Sequence, residues 1–69
     1  MKYIELSMLK RGSSGYQVKV LQKLLGKLEI DGIFGNDTEN RVKQYQEQNK
    51  LGIDGIVGFE TWNNLLTKG

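Results

Sequence analysis

The 69-residue sequence contains no cysteine, no histidine and no proline. Without cysteine it can form no disulfide bond and offers no thiolate nucleophile or metal ligand. Without histidine, a Ser-His-Asp triad, a Cys-His pair and a histidine-bound zinc ion are all excluded. Without proline, no turn is stiffened by a pyrrolidine ring. These absences favour a noncatalytic binding module over an enzyme, and we expect neither a cofactor nor a metal ion.

Long apolar runs are also absent. No stretch approaches the roughly 20 apolar residues that a membrane-spanning helix needs, so we expect no membrane partner. The N-terminal segment is interrupted by Glu5 and is too poor in apolar residues for a signal peptide. If the natural protein works outside a cell, its export signal lies elsewhere or another factor releases it. Residues 1–11 are expected to form a short extended or one-turn segment that covers the core.

The charge balance is weak, with a formal net charge of +2. The basic residues are scattered along the chain rather than grouped in a stripe, and acidic residues such as Asp37, Glu39 and Glu47 lie among them. A nucleic-acid partner would favour a concentrated basic face. We therefore expect no nucleic-acid binding.

One pattern, L-x-I-D-G-I-x-G-x-[D/E]-T, occurs at residues 28–38 and again at 51–61. Repeats of this kind each form one supersecondary unit that buries its apolar face on its neighbour. Each unit here predicts a helix, a turn that contains Asp-Gly, and the start of the next helix. The predicted fold class is therefore all-α, a small three-helix bundle with an internal pseudo-repeat linked by Asp-Gly turns. The whole chain, 1–69, is predicted to be a single domain.

The first predicted helix covers about ten residues and ends near Gly26, because apolar side chains recur at helical spacing around it. Residues 12–15, Gly-Ser-Ser-Gly, predict a turn whose serines accept hydrogen bonds from the free N–H groups of that helix. The apolar face consists of Val18, Leu21, Leu24, Leu25 and Leu28.

The second helix is predicted to begin at Asn36, which has capping-box spacing to Glu39, and to stop near Lys50 or Gly52. One face of this helix consists of Thr38, Val42, Tyr45 and Asn49. Another face carries a polar strip of Arg41, Gln44 and Gln48, for which a solvated surface is the simplest interpretation and ligand contact is the alternative.

The third helix is predicted over 59–66, with Trp62, Leu65 and Leu66 at helical spacing. Large aromatic side chains are expected in the core by default. A domain this small cannot bury all of them, so one or two should lie at the edge of a groove. The aromatic side chains concerned are Tyr16, Phe34, Tyr45, Phe59 and Trp62.

The two Asp-Gly turns are expected to be closed by Asp31 and Asp54, with glycine supplying the positive φ. Ile30 and Ile33 are predicted to enter the core, and the turn is predicted to make a short strand-like pairing with its counterpart at 53–57. A role for the two aspartates as ligand acceptors or as a carboxylate pair stays open.

A calcium loop is disfavoured at these turns, because Ile33 and Gly35 stand where oxygen ligands are required. Gln22 and Gln46 recur just after a core position in the helix that precedes each turn. They are predicted to hydrogen-bond the turn backbone, since buried amides must be satisfied. Contact with a sugar or peptide amide is the alternative.

Taken together, residues 9–22, 31–38 and 51–62 resemble the three-helix peptidoglycan-binding domain that is appended to bacterial and phage cell-wall hydrolases. That family follows L-x-x-G-x-x-G-x-x-V-x-x-L-Q, then D-G-x-F-G-x-x-T-x-x-x-V-x-x-[F/Y]-Q, then L-x-x-D-G-x-[V/A]-G-x-x-T-W. Residues 9–66 match the three blocks in order. Asn36 and Phe59 stand where the family typically has proline.

The resemblance implies a noncatalytic module that binds peptidoglycan, by its glycan or its stem peptide, and targets an attached or associated wall hydrolase. It implies an extracellular place at the bacterial cell wall, or a phage-encoded protein released to the wall. The fold also resembles the propeptide domain of matrix metalloproteinases. A protein-interaction or propeptide-like module without wall affinity is therefore the alternative.

A peptidoglycan groove would need a cation, amide-matching side chains and an apolar platform. Arg41 could read a planar carboxylate by two hydrogen bonds, Gln44 and Gln48 could match amides, and Tyr45 or Trp62 could offer an apolar face. With the aspartates of the two turns, the predicted ligand-binding set is Asp31, Arg41, Gln44, Tyr45, Gln48, Asp54 and Trp62.

Overall fold

Three helices make up the regular structure of the computed structural model, which describes residues 7–68. They are α1 (Tyr16–Leu25), α2 (Asn36–Gln48) and α3 (Phe59–Lys68). The predicted three-helix, all-α class is confirmed. No helix in the described range combines the length and the apolar character needed to cross a membrane. The predicted covering segment at 1–11 lies outside the described residues for its first six positions.

The ends of α1 are set by two glycines in the left-handed region. Gly15 precedes the helix with φ +115°, and no side chain caps the helix start. The predicted serine cap is therefore wrong, because the Ser13 hydroxyl accepts from the Lys10 N–H (3.1 Å) and closes its own turn. The predicted stop at Gly26 is confirmed: its φ is +74°, and its N–H donates to the Gln22 carbonyl. The predicted place of Leu24 on the apolar face is wrong, because this side chain is 39% exposed and is not part of the core.

Helix α2 begins directly after Gly35, again without a side-chain cap. The predicted capping box is wrong, because Asn36 is already the first helical residue and the Glu39 carboxylate accepts from Arg11 Nη1 (3.2 Å). The helix ends at Gln48, two residues before Lys50, which is the nearer of the two predicted end points.

The segment before α1 forms backbone hydrogen bonds with both Asp-Gly turn regions. Leu9 pairs with Val57 through two reciprocal backbone hydrogen bonds of 3.1 and 2.8 Å, and Ser14 pairs with Ile33. The predicted pairing of the two turns with each other is wrong. The Gly32 carbonyl and the N–H and carbonyl groups of Phe34 and Val57 bond instead to residues 9–15, so the ladder partners of each turn come from the segment before α1.

The core is formed by side chains from every element and from both turns. Ile33 is 59% exposed, and Ile30 also faces solvent, so their predicted burial is wrong. Successive side chains of an extended segment point to opposite sides, and Phe34 takes the inward position after Ile33. The buried apolar residues are Leu9, Val18, Leu21, Leu25, Phe34, Val42, Val57, Trp62 and Leu65.

The aromatic side chains divide between core and surface. Phe34 and Trp62 are buried, and Tyr45 packs against the core from a half-buried position. Default burial is wrong for Tyr16 and for Phe59, which is 82% exposed at the start of α3. The expectation that one or two aromatics border a groove is met by Phe59, which lines a shallow apolar cavity.

Candidate functional site

The first Asp-Gly turn is held by the buried amide of Gln22. Its Oε1 accepts from the Gly32 N–H (2.9 Å). Its Nε2 donates to Asp31 Oδ1 (3.0 Å), to the Ile33 carbonyl (3.1 Å) and to Thr38 Oγ1 (3.0 Å). The network therefore ties α1, the turn and the first residues of α2 into one unit.

Gln46 makes the equivalent contacts with the second turn. Its Oε1 accepts from the N–H groups of Asp54 (3.2 Å) and Gly55 (3.0 Å). Its Nε2 donates to Asp54 Oδ1 (3.0 Å), to the Ile56 carbonyl (3.0 Å) and to Thr61 Oγ1 (3.2 Å). The prediction that both glutamines bind turn backbone is confirmed, and their amides are fully used within the protein.

Both aspartates close their own turns, as predicted, while their carboxylates remain exposed. Asp31 Oδ1 also accepts from the Ile33 N–H (3.0 Å), and Asp54 Oδ1 from the Ile56 N–H (2.9 Å). The Gln22 amide, followed by the Ile33 N–H, lowers the pKa of Asp31. The Ile56 N–H is the main cause that lowers the pKa of Asp54. Both groups are therefore anions at neutral pH.

A cavity of about 470 Å³ opens between the C-terminal end of α1, the first turn and α2. We call it the α1–α2 cavity. Its charged lining residues are Lys27, Glu29, Asp31, Asp37 and Arg41. Its amide-bearing lining residues are Gln22, Asn36, Asn40 and Gln44. Among residues 7–68, no three acidic side chains form a group that could hold a metal ion.

Arg41 has a more structural position than the sequence predicted. Its Nε donates to the Gly26 carbonyl (3.2 Å) and its Nη2 to the Leu25 carbonyl (2.9 Å). These carbonyls lie at the C-terminal end of α1, where a cation is favourable. The guanidinium thus joins α2 to α1 at the wall of the α1–α2 cavity.

The structure brings together three residues of the predicted ligand-binding set, since Asp31, Arg41 and Gln44 all line the α1–α2 cavity. Asp54 lines a separate cavity of about 320 Å³ beside the second turn. Trp62 is 4% exposed and borders the shallow apolar cavity of about 260 Å³ from its core position.

Tyr45 and Gln48 line none of these three cavities. The Tyr45 hydroxyl donates to Asn64 Oδ1 on α3, and partial burial raises the pKa of this phenol. Gln48 is exposed near the end of α2.

Several residues that line the α1–α2 cavity were not predicted from the sequence as ligand-binding residues: Lys27, Glu29, Asn36, Asp37 and Asn40. The two copies of the repeat contain a signal that could have found some of them. Glu29 and Asn36 in the first copy correspond to Gly52 and Phe59 in the second. The first copy thus carries polar side chains at two positions where the second copy has none, and both of these side chains line the α1–α2 cavity.

Residues 14–65 match the family described as a peptidoglycan binding domain. The chain belongs to this family. Its matched part includes α1, α2, the first seven residues of α3 and both glutamine networks.

The chain spans only part of the length of the curated relatives that it matches, 19% in the case of an amidase. The chain is 39% identical over 70 residues to the N-acetylmuramoyl-L-alanine amidase CwlL of Bacillus licheniformis, a match that covers 91% of this chain and 19% of the amidase. It superimposes on the SleB N-terminal domain with a TM-score of 0.88 and 30% identity, over 96% of this chain and 97% of that one. It superimposes on an endolysin of Burkholderia AP3 phage with a TM-score of 0.87 and 34% identity, over 91% of this chain and 26% of the endolysin.

Proposed function

We propose that this domain binds bacterial peptidoglycan through the α1–α2 cavity, without catalysing a reaction on it. The observation that carries the proposal is the convergence of Asp31, Arg41 and Gln44 on one cavity in a member of a peptidoglycan binding family. Arg41 supplies a cation, Asp31 an anion and Gln44 an amide. These groups complement the carboxylates, amines and amides of the wall.

The domain's role is to keep a wall hydrolase on its substrate at the bacterial cell surface. The amidase and the endolysin named above support this proposal, because each contains a related segment within a much longer chain. A single small polar site gives weak binding. A repetitive polymer and a linked second binding module raise the effective concentration, so residence on the wall exceeds the affinity of one contact.

A ligand-binding role for Tyr45, Gln48, Asp54 and Trp62 stays a prediction. Asp54 has an exposed carboxylate beside its own cavity, so a second contact with an extended polymer is open to it.

A protein-interaction role is the second candidate. It is favoured by the shallow apolar cavity, where Met8, Phe59 and Leu66 are exposed beside one another. Exposed apolar side chains around a concave surface are typical of protein contacts. A partner protein at this face would leave the α1–α2 cavity free, so the two roles are experimentally separable.

Substitution Asn40→Trp tests the proposed site, because Asn40 is exposed on α2 and lines the α1–α2 cavity. An indole at this position would occupy the cavity. We expect retention on purified sacculi in a co-sedimentation assay to fall by about tenfold, a change equivalent to about 1.4 kcal/mol of binding free energy.

The matched control is Glu47→Trp, which places the same indole at an exposed position of α2 outside the three cavities. This variant should be retained like the parent domain. The parent domain should be retained at both low and moderate salt. Attraction by net charge alone would be lost at moderate salt, because the salt screens it. Equal retention of both tryptophan variants would place the binding surface elsewhere.

A further inference from the structure

We infer that the α1–α2 cavity recognises the peptide part of peptidoglycan, through an ammonium and a carboxylate group, rather than the faces of its sugars. This inference rests on the proposed wall binding and names the chemical groups that are recognised. It depends on three properties of the cavity: its missing aromatic platform, its unpaired charges of both signs and its free amides.

Stacking on sugar faces needs an exposed aromatic ring. Among the described residues, no aromatic side chain lines the α1–α2 cavity. The exposed aromatics Tyr16 and Phe59 lie outside its lining, while Phe34 and Trp62 are buried. The cavity therefore lacks the aromatic ring that would stack on the sugar faces of a glycan strand.

Charges of both signs line the cavity. The two cations are Lys27, just after α1, and Arg41 on α2. The acidic residues are Glu29 and Asp31, before and within the first Asp-Gly turn, and Asp37 at the N-terminal end of α2. In the described part of the chain, the ion pair between Arg11 and Glu39 is the only one. None of the cavity charges therefore forms an ion pair with another described residue, and they are available to a ligand that carries both an ammonium and a carboxylate.

Two of these charges are held in place by the fold. Arg41 is fixed by two backbone carbonyls, and its Nη1 donors have no partner among residues 7–68. Asp31 is fixed through Oδ1, and its Oδ2 likewise has no partner in that range. Side chains that are ordered before binding lose little entropy when a ligand arrives.

Three exposed amides complete the cavity. Asn36, Asn40 and Gln44 each offer a donor and an acceptor, and none of them is hydrogen-bonded to another described residue through its side chain. They match the backbone amides of a peptide. A stem peptide whose diamino acid is not cross-linked offers amides, carboxylates and a free ammonium together, whereas an N-acetylated sugar carries no ammonium.

The test compares intact sacculi, glycan strands stripped of peptide by an amidase, and a soluble stem tetrapeptide with a free or an acetylated side-chain amine. We expect retention on sacculi and loss of retention on stripped glycan. In NMR titrations the free tetrapeptide should shift backbone amides around the α1–α2 cavity. Acetylation of its amine should weaken binding by about tenfold, as expected for loss of a charge-assisted contact.

Asp37→Asn supplies the protein side of the test, with Glu60→Gln as its control. Asp37 and Glu60 occupy corresponding positions of the repeat and both lie in the first turn of a helix, but Asp37 lines this cavity and Glu60 does not. Both substitutions remove a favourable charge from a helix start. Only Asp37→Asn should weaken tetrapeptide binding, by several-fold, while the two variants keep equal thermal unfolding curves.

Retention on stripped glycan equal to that on sacculi, with no shifts from the tetrapeptide, would overturn the inference and leave the proposed wall binding intact. Equal affinity for the free and acetylated peptides would also overturn it. Failure of the parent domain to bind sacculi at all would overturn both.

Discussion

Trp62→Ala is expected to lower the free energy of unfolding by about 4 kcal/mol. The side chain is buried among core residues from all three helices, and its Nε1 donates to the Ser7 carbonyl (2.9 Å). A domain of this size has a total stability on the order of 3–10 kcal/mol. The variant should therefore be largely unfolded at moderate urea concentrations. Because the substitution removes the chain's single tryptophan, unfolding is followed by far-UV circular dichroism instead of fluorescence.

Phe59→Ala is the matched control, since it removes an aromatic ring from the exposed start of the same helix. Its stability should stay within about 0.5 kcal/mol of the parent. A Trp62→Ala variant that keeps parental stability but loses wall retention would contradict the core assignment. It would return Trp62 to the ligand-binding set.

Gln46→Ala is expected to cost about 3 kcal/mol, because it removes every hydrogen bond of a fully buried amide. The Gly55 N–H and the Thr61 hydroxyl are themselves buried and would lose their partner. Unsatisfied buried groups bear a desolvation penalty of about 1–3 kcal/mol each. Urea unfolding followed by tryptophan fluorescence measures the loss directly.

Gln48→Ala supplies the comparison two residues further along α2, at an exposed position. We expect its stability to change by less than about 0.5 kcal/mol. Equal, small effects of the two substitutions would show that the Gln46 network does not hold the second turn.

Local features of the fold could be predicted from the sequence. The apolar spacing predicted α1 correctly, and Val18 and Leu21 from that pattern both face the core. The repeated Gln and Asp-Gly pairs predicted the two turn networks, since a buried amide at a fixed distance from a turn has few other partners. These features depend on residues close in sequence, whose geometry the helix and the turn themselves fix.

Features that depend on distant partners could not be predicted. Ile33 faces solvent because the turn pairs with residues 12–15, and the register that turns Ile33 outward has no local sequence signal. The carbonyls that Arg41 binds belong to another helix, so the sequence suggested a free cation where the structure has a fixed one. Lys27 and Asp37 join the α1–α2 cavity for the same reason, as neighbours in space only.

NMR mapping with soluble muropeptides from a muramidase digest tests most directly whether the α1–α2 cavity is the wall-binding surface. The predicted result is that backbone amide shifts concentrate at the first turn and on α2 near Asn40 and Gln44. Shifts centred instead on Met8, Phe59 and Leu66, or no shifts at millimolar muropeptide, would contradict it.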